Sequence, residues 1–169
     1  GNINAGGLLS PGAIAVSLLS SAEAHNSGSI QTGSIISPGL SAAAILGSAT
    51  VDNQGDIKTG SLLSAGASAI SLLGSAEANN SGTIKTGSLF SNGLSAISVL
   101  GAASAANEGS IETGSIGSYG AQATSLLGRA DVTNSETGTI KTGSLFSTGM
   151  SALSITGAAS ATNDGSIET

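Results

Sequence analysis

The chain has no cysteine and no tryptophan, two phenylalanines, one tyrosine and two prolines, and only four lysines and arginines against ten aspartates and glutamates. Each shortage closes a class of structure or function. Without cysteine there are no disulfides, no thiolate metal ligands and no cysteine nucleophile, a usage compatible with export through a bacterial envelope. Without aromatic bulk, 169 residues cannot fill a thick core. A net charge of -6 leaves no basic surface to neutralise phosphates, which argues against nucleic acid as a partner. The apolar stretches are only a few residues long, far short of the roughly 20 that a membrane-spanning helix requires, so no membrane insertion is expected. The chain starts at Gly1, with no basic start leading into an apolar run and a small-residue cleavage site. That start predicts a mature form or a piece of something longer.

What is plentiful is glycine, at 26 residues, together with alanine and serine. In an aperiodic chain that composition reads as disorder. Here it is periodic. Glycine opens a unit at Gly1, Gly28, Gly55, Gly82 and Gly109, then at Gly138 after one longer unit, and at Gly165. A unit of about 27 residues cannot close its own hydrophobic core and must bury itself against its neighbours. Residues 1–169 therefore form a single repeat domain, with six full coils starting at 1, 28, 55, 82, 109 and 138 and a partial seventh from 165.

The columns of the repeat hold their chemical type. Ile3, Ile30, Ile57, Ile84, Ile111, Ile140 and Ile167 share one position. Two residues on stand Thr32, Thr59, Thr86, Thr113, Thr142 and Thr169, with Ala5 in the first unit. Between them lie Asn4, Gln31, Lys58, Lys85, Glu112, Lys141 and Glu168. This is strand alternation, with Ile and Thr on one face. Gly6, Gly33, Gly60, Gly87, Gly114 and Gly143 follow, where positive φ is expected as the chain leaves the strand. A short apolar stretch such as Leu62–Leu63 comes next, then Ser, a variable residue and another glycine, which reads as a turn. The SAISL-type segment after it has a central alanine in every coil and leaves two parities open, because Ala, Ile, Ser and Leu all alternate tolerably.

The last segment alternates small residues and closes on Asn26, Asn53, Asn80, Asn107, Asn134 and Asn163. One asparagine per coil can adopt left-handed φ and can hydrogen bond along a stack, which predicts an internal ladder at a corner. Helical repeats are excluded by about four glycines per unit, each costing a helix about 1 kcal/mol relative to alanine. The reading is all-β: a right-handed parallel β-helix (β-solenoid) with coils about 4.8 Å apart and a rod roughly 29 Å long.

The segment Asn80 to Thr86, NSGTIKT, resembles the coils of secreted bacterial β-helix proteins, namely autotransporter passenger regions and filamentous adhesins. Two features differ from that pattern: no poly-glycine run follows the aliphatic strand, and no membrane-anchoring β-barrel is visible in these residues. The resemblance implies an extracellular or bacterial cell-surface stalk or adhesive surface.

Candidate sites are few. The asparagine and threonine columns are expected to be structural ladders, with the threonines turned inward. Arg129, Asp131 and Glu136 lie near the one break in rhythm, at Asn134–Thr137, and form a candidate surface contact. No catalytic, cofactor or metal residues are predicted: His25 has no His or Cys partner, and the scattered Asp52, Asp56 and Asp164 form no repeating ligand column. Phe90, Phe146 and Tyr119 are expected to pack at a corner rather than to form an aromatic stripe. The expected role is structural and non-enzymatic, a stalk segment or fibre subunit. Its partners would be further coils, through self-association end to end or continuation in a longer chain, and possible host or surface glycans. The alternative is a carbohydrate- or ice-binding module using one flat face.

Overall fold

The computed structural model describes residues Gly1–Thr169 and contains nineteen strands and no helix. The first coil supplies β1 (Asn2–Ala5), β2 (Ala13–Ser17) and β3 (Ala22–Asn26), and every later full coil repeats these three. Like strands stack in parallel into a seven-stranded sheet and two six-stranded sheets. We call them the isoleucine, alanine–serine and asparagine sheets, after the columns that face the interior. The pairing is column on column: Ile84 lies between Ile57 and Ile111, and Asn107 between Asn80 and Asn134. A β-solenoid of about six turns results.

The apolar stretch after the first glycine forms no strand. It contributes one bridge residue per coil, in a column running Leu8, Ile35, Leu62, Leu89, Ile116 and Leu145. Of 111 backbone hydrogen bonds, 54 lie outside the strand ladders, so cohesion between coils runs around the whole circumference rather than through the sheets alone. The interior is thin. It contains Ile30, Ile57, Ile84, Ile111 and Ile140 from one side, and mostly alanine, valine and serine from the other two. Leu40 and Leu94 are fully buried in alternate coils, with Ala67 and Ala121 at the same position in the coils that follow each. Alternating large and small residues lets the leucines spread over the space the alanines leave.

Parity in the SAISL segment is now settled. Ala67, Ala69 and Ser71 face inward, while Ser68 and Ile70 face outward, and the neighbouring coils follow suit. The larger aliphatic side chains of this sheet are therefore on the outside. They form one row through Val16, Ala43, Ile70, Ile97, Thr124 and Leu153. At the corner beyond, Leu18, Ile45, Leu72, Val99, Leu126 and Ile155 make a second row. Leu19, Leu46, Leu73, Leu100 and Leu127 make a third.

Left-handed backbone appears where the sequence did not announce it. Gly33, Gly60, Gly87, Gly114 and Gly143 do not adopt positive φ, and neither do the asparagines. The residues that do are Leu9, Ile36, Leu63, Phe90 and Phe146, at φ between 47 and 55, with Gly117 in the same column at φ 62, and Gly7 in the first coil at φ 140. A bulky residue there costs roughly 1–2 kcal/mol. The surrounding hydrogen bonds impose it: the N–H groups of Ile36, Leu63 and Phe90 each donate to the next coil at 2.9–3.0 Å, and the serine after each is also held.

The glycines after the isoleucine strand have a different purpose. A Cβ on Gly60 would lie 1.7 Å from the Gly33 carbonyl oxygen, and one on Gly87 would lie 1.8 Å from that of Gly60. They are glycine because the backbones of successive coils nearly touch there.

Candidate functional site

The most ordered chemistry in the molecule is internal. Asn26 Nδ2 donates to Asn53 Oδ1 at 2.8 Å, and the same bond recurs from Asn53 to Asn80, Asn80 to Asn107, Asn107 to Asn134 and Asn134 to Asn163 at 2.7–2.8 Å. Each amide also donates to a carbonyl just beyond the corner, such as Gly82 O for Asn80 at 3.2 Å. Asn26, Asn53, Asn80, Asn107 and Asn134 are buried, so the ladder replaces water as their hydrogen-bond partner. The insertion near Asn134 does not break it. Ser135 to Gly138 form a turn closed by a 2.8 Å bond from Gly138 N–H to Ser135 O, and Thr137 Oγ1 donates to Glu108 O at 2.9 Å.

A second ladder escaped the sequence reading. Ser37, Ser64, Ser91 and Ser118 are buried, and each hydroxyl accepts the backbone N–H of the matching serine in the preceding coil at 2.9–3.1 Å. Each hydroxyl also donates to the carbonyl two residues earlier, as Ser64 does to Leu62 at 3.0 Å. The signal was an invariant serine in all six coils, which among so many serines looks like turn composition. A third set, Ser71, Ser98 and Ser125, donates to the Gly47, Gly74 and Gly101 carbonyls of the coil before, at 2.8 Å.

The threonines are turned toward the interior but do not form a ladder among themselves. Thr59 Oγ1 donates across its own coil to Ser64 O at 2.7 Å; Thr32 and Thr86 make the same bond to Ser37 O and Ser91 O. In the fifth coil the Ser118 carbonyl accepts the Thr148 N–H, and the buried hydroxyl of Thr113 has no partner; that of Thr142 is also unpaired. Thr59→Val is therefore expected to lose about 1 kcal/mol, while Thr113→Val is neutral or stabilising. Urea midpoints of the two variants check this, and equal losses would contradict it.

The surface differs from side to side. Outside the isoleucine sheet the charged column pairs along the rod, with Lys85 Nζ 2.8 Å from Glu112 Oε2 and Lys141 Nζ 3.1 Å from Glu168. The hydrogen bond and charge of Lys85 hold the Glu112 carboxyl below its ordinary value, and Glu112 in turn raises the Lys85 ammonium. What the pair contributes is present at neutral pH. It fades on acidification through the lowered Glu112 value and on alkalinisation through the raised Lys85 value. Being exposed, the pair is a weak support.

Outside the asparagine sheet, His25 Nδ1 is 3.0 Å from Asp52 Oδ2, and Asn79 Nδ2 donates to Asp52 Oδ1 at 2.8 Å. His25 thus stands on a strand face beside carboxylates. No group of three or more His, Cys, Asp or Glu is placed to hold a metal ion. Arg129 Nε donates to Asp131 Oδ1 at 2.7 Å, whereas Glu136 sits exposed on the inserted turn and makes no ion pair with either. The candidate surface contact is therefore one local pair and a separate carboxylate. Phe90 lies over Gly117, whose added Cβ would meet its ring at 2.5 Å, but Phe146 is 89% exposed and packs on no corner.

Comparison with protein-family models, with curated proteins and with solved structures finds no match.

Proposed function

We propose that this chain is a structural segment of an extracellular or bacterial cell-surface rod, a stalk or fibre element whose activity is to hold length and display surface, without catalysis. The observation that carries the reading is the unbroken column register: asparagine on asparagine and isoleucine on isoleucine through all the coils, including across the inserted turn. Such an interior presents to a further coil the same unpaired edges and the same half-used ladder that each coil presents to the next. Extension by stacking, within a longer chain or between chains, is then an addition of identical interactions. The inward threonines leave no outward threonine array for matching ice, and the charged face and the Arg129–Asp131 pair remain the places where a glycan would bind.

Electron microscopy of the purified chain tests the reading. Filaments that lengthen by one rod, roughly 29 Å, for each added chain are expected at high concentration. Particles that stay at one rod length of roughly 29 Å at every concentration would count against stacking between chains.

A further inference from the structure

The outer surface of the alanine–serine sheet and the corner beyond it is the broader of two long apolar areas, with three rows against the two at the corner of Leu8 and Leu9. Its three rows contain no charged residue, and at the centre Ile70 and Leu72 are 45% and 44% exposed. Two of the rows run over six coils and the third over five, and together they present on the order of 1,000 Å² of apolar surface, above the roughly 300–600 Å² of the largest patch on an ordinary monomer. We propose that this face is an interface with a second copy of the same chain, two rods packing side by side, sheet against sheet. The proposal is separate from end-to-end stacking, since it uses the flank of the rod and leaves both ends free.

Three observations select this occupant. The area is what a stable dimer needs, about 800 Å² per partner. The rows repeat with the coil spacing of about 4.8 Å, so a partner with the same period sets its side chains between them along the full length, and a second copy has that period. Charge also selects this flank. The molecule carries a net -6, the outer surfaces of its other two sheets carry the exposed carboxylates and lysines, and of the three sheet faces the apolar one lets two such chains approach without opposing like charges. Ala43, set between Val16 and Ile70, opens a shallow apolar trough that accepts a larger side chain from the partner. Aligned sheets about 10 Å apart with interdigitated inner faces are the ordinary way such surfaces pack, and a two-fold axis makes the contact closed and self-complementary.

Sedimentation velocity on the intact chain reads the association. A dimer is expected at tens of micromolar, and Ile70→Glu combined with Ile97→Glu is expected to weaken it at least 100-fold. Far-UV circular dichroism should stay unchanged, because both side chains point outward. The chain has no native cysteine, so Leu72→Cys on the face and Lys58→Cys on the isoleucine sheet give a second reading that does not depend on the charged variant. Oxidation is expected to link the first into covalent dimers and to leave the second largely monomeric. Any one of four results overturns the proposal: a wild-type monomer at these concentrations, an association untouched by the two glutamates, equal cross-linking at both positions, or a monomer that instead binds phosphatidylcholine vesicles.

Discussion

Asn80→Asp is expected to destabilise the rod by about 3–5 kcal/mol at neutral pH. The native amide is fully committed: Oδ1 accepts from Asn53 at 2.8 Å, while Nδ2 donates to Asn107 Oδ1 at 2.8 Å and to the Gly82 carbonyl at 3.2 Å. A carboxylate has no donor, so it turns an oxygen toward two acceptors in a site where the side chain is buried. It also leaves a charge with no counter-ion. Burial raises the folded-state pKa of such a carboxyl above its unfolded value. The folded form then binds the extra proton more tightly, and stability lost at neutral pH is partly recovered as pH falls. At roughly 2–4 °C per kcal/mol for a chain of this size, the midpoint should drop by about 6–20 °C at pH 7 and by less at pH 4. Asn163→Asp is the control: that residue is exposed and ends the ladder, so it should lose little. Equal melting of the Asn80 variant and wild type at pH 7 would remove the ladder from the energetics.

The period, the parallel stacking and the asparagine column were legible because each is a property of columns. A single residue type recurring once per coil must meet its own copy above and below. Parity in the SAISL segment was not legible, for a physical reason. The familiar rule places isoleucine inward and serine outward, but the space between the sheets is too narrow for large side chains from all three. The Ile column of the first sheet fills it, and a Cβ on Gly66 would lie 2.2 Å from Ile84 Cγ2. Apart from Leu40 and Leu94, alanine and serine take the buried inward positions that remain, and buried Ser71, Ser98 and Ser125 are tolerated because each bonds to a glycine carbonyl of the neighbouring coil. The displaced isoleucines and leucines then go outside, which is why the most apolar surface of the molecule is an exposed one. The same competition hid the left-handed corner. Glycine is the usual mark of positive φ, yet here it is used where coils touch, and Leu63 or Phe90 takes the strained backbone with its side chain half-exposed on the outer surface.

That division of labour among glycines makes a sharp expectation for one substitution made at two places. Gly87→Ala is expected to cost about 3 kcal/mol or more, since the new Cβ would sit 1.8 Å from the Gly60 carbonyl oxygen and 2.4 Å from Ser61 Cα. Both are backbone atoms, so no side-chain rotation relieves the overlap. The coils must part locally, and the bonds flanking the site, such as Leu89 N–H to Ser61 O at 3.0 Å, lengthen with them. Gly6 holds the same position in the first coil, and a Cβ there meets nothing within 4 Å because no coil of this chain lies beneath it. Gly6→Ala should therefore be neutral or slightly stabilising through the unfolded chain's lost entropy, by about 0.4–1 kcal/mol. If positive φ were the reason for glycine in this column, both variants would be destabilised. If close approach of coils is the reason, only the interior one is. Thermal melts of the two chains separate the explanations, and a Gly6→Ala loss equal to that of Gly87→Ala would reject the steric account.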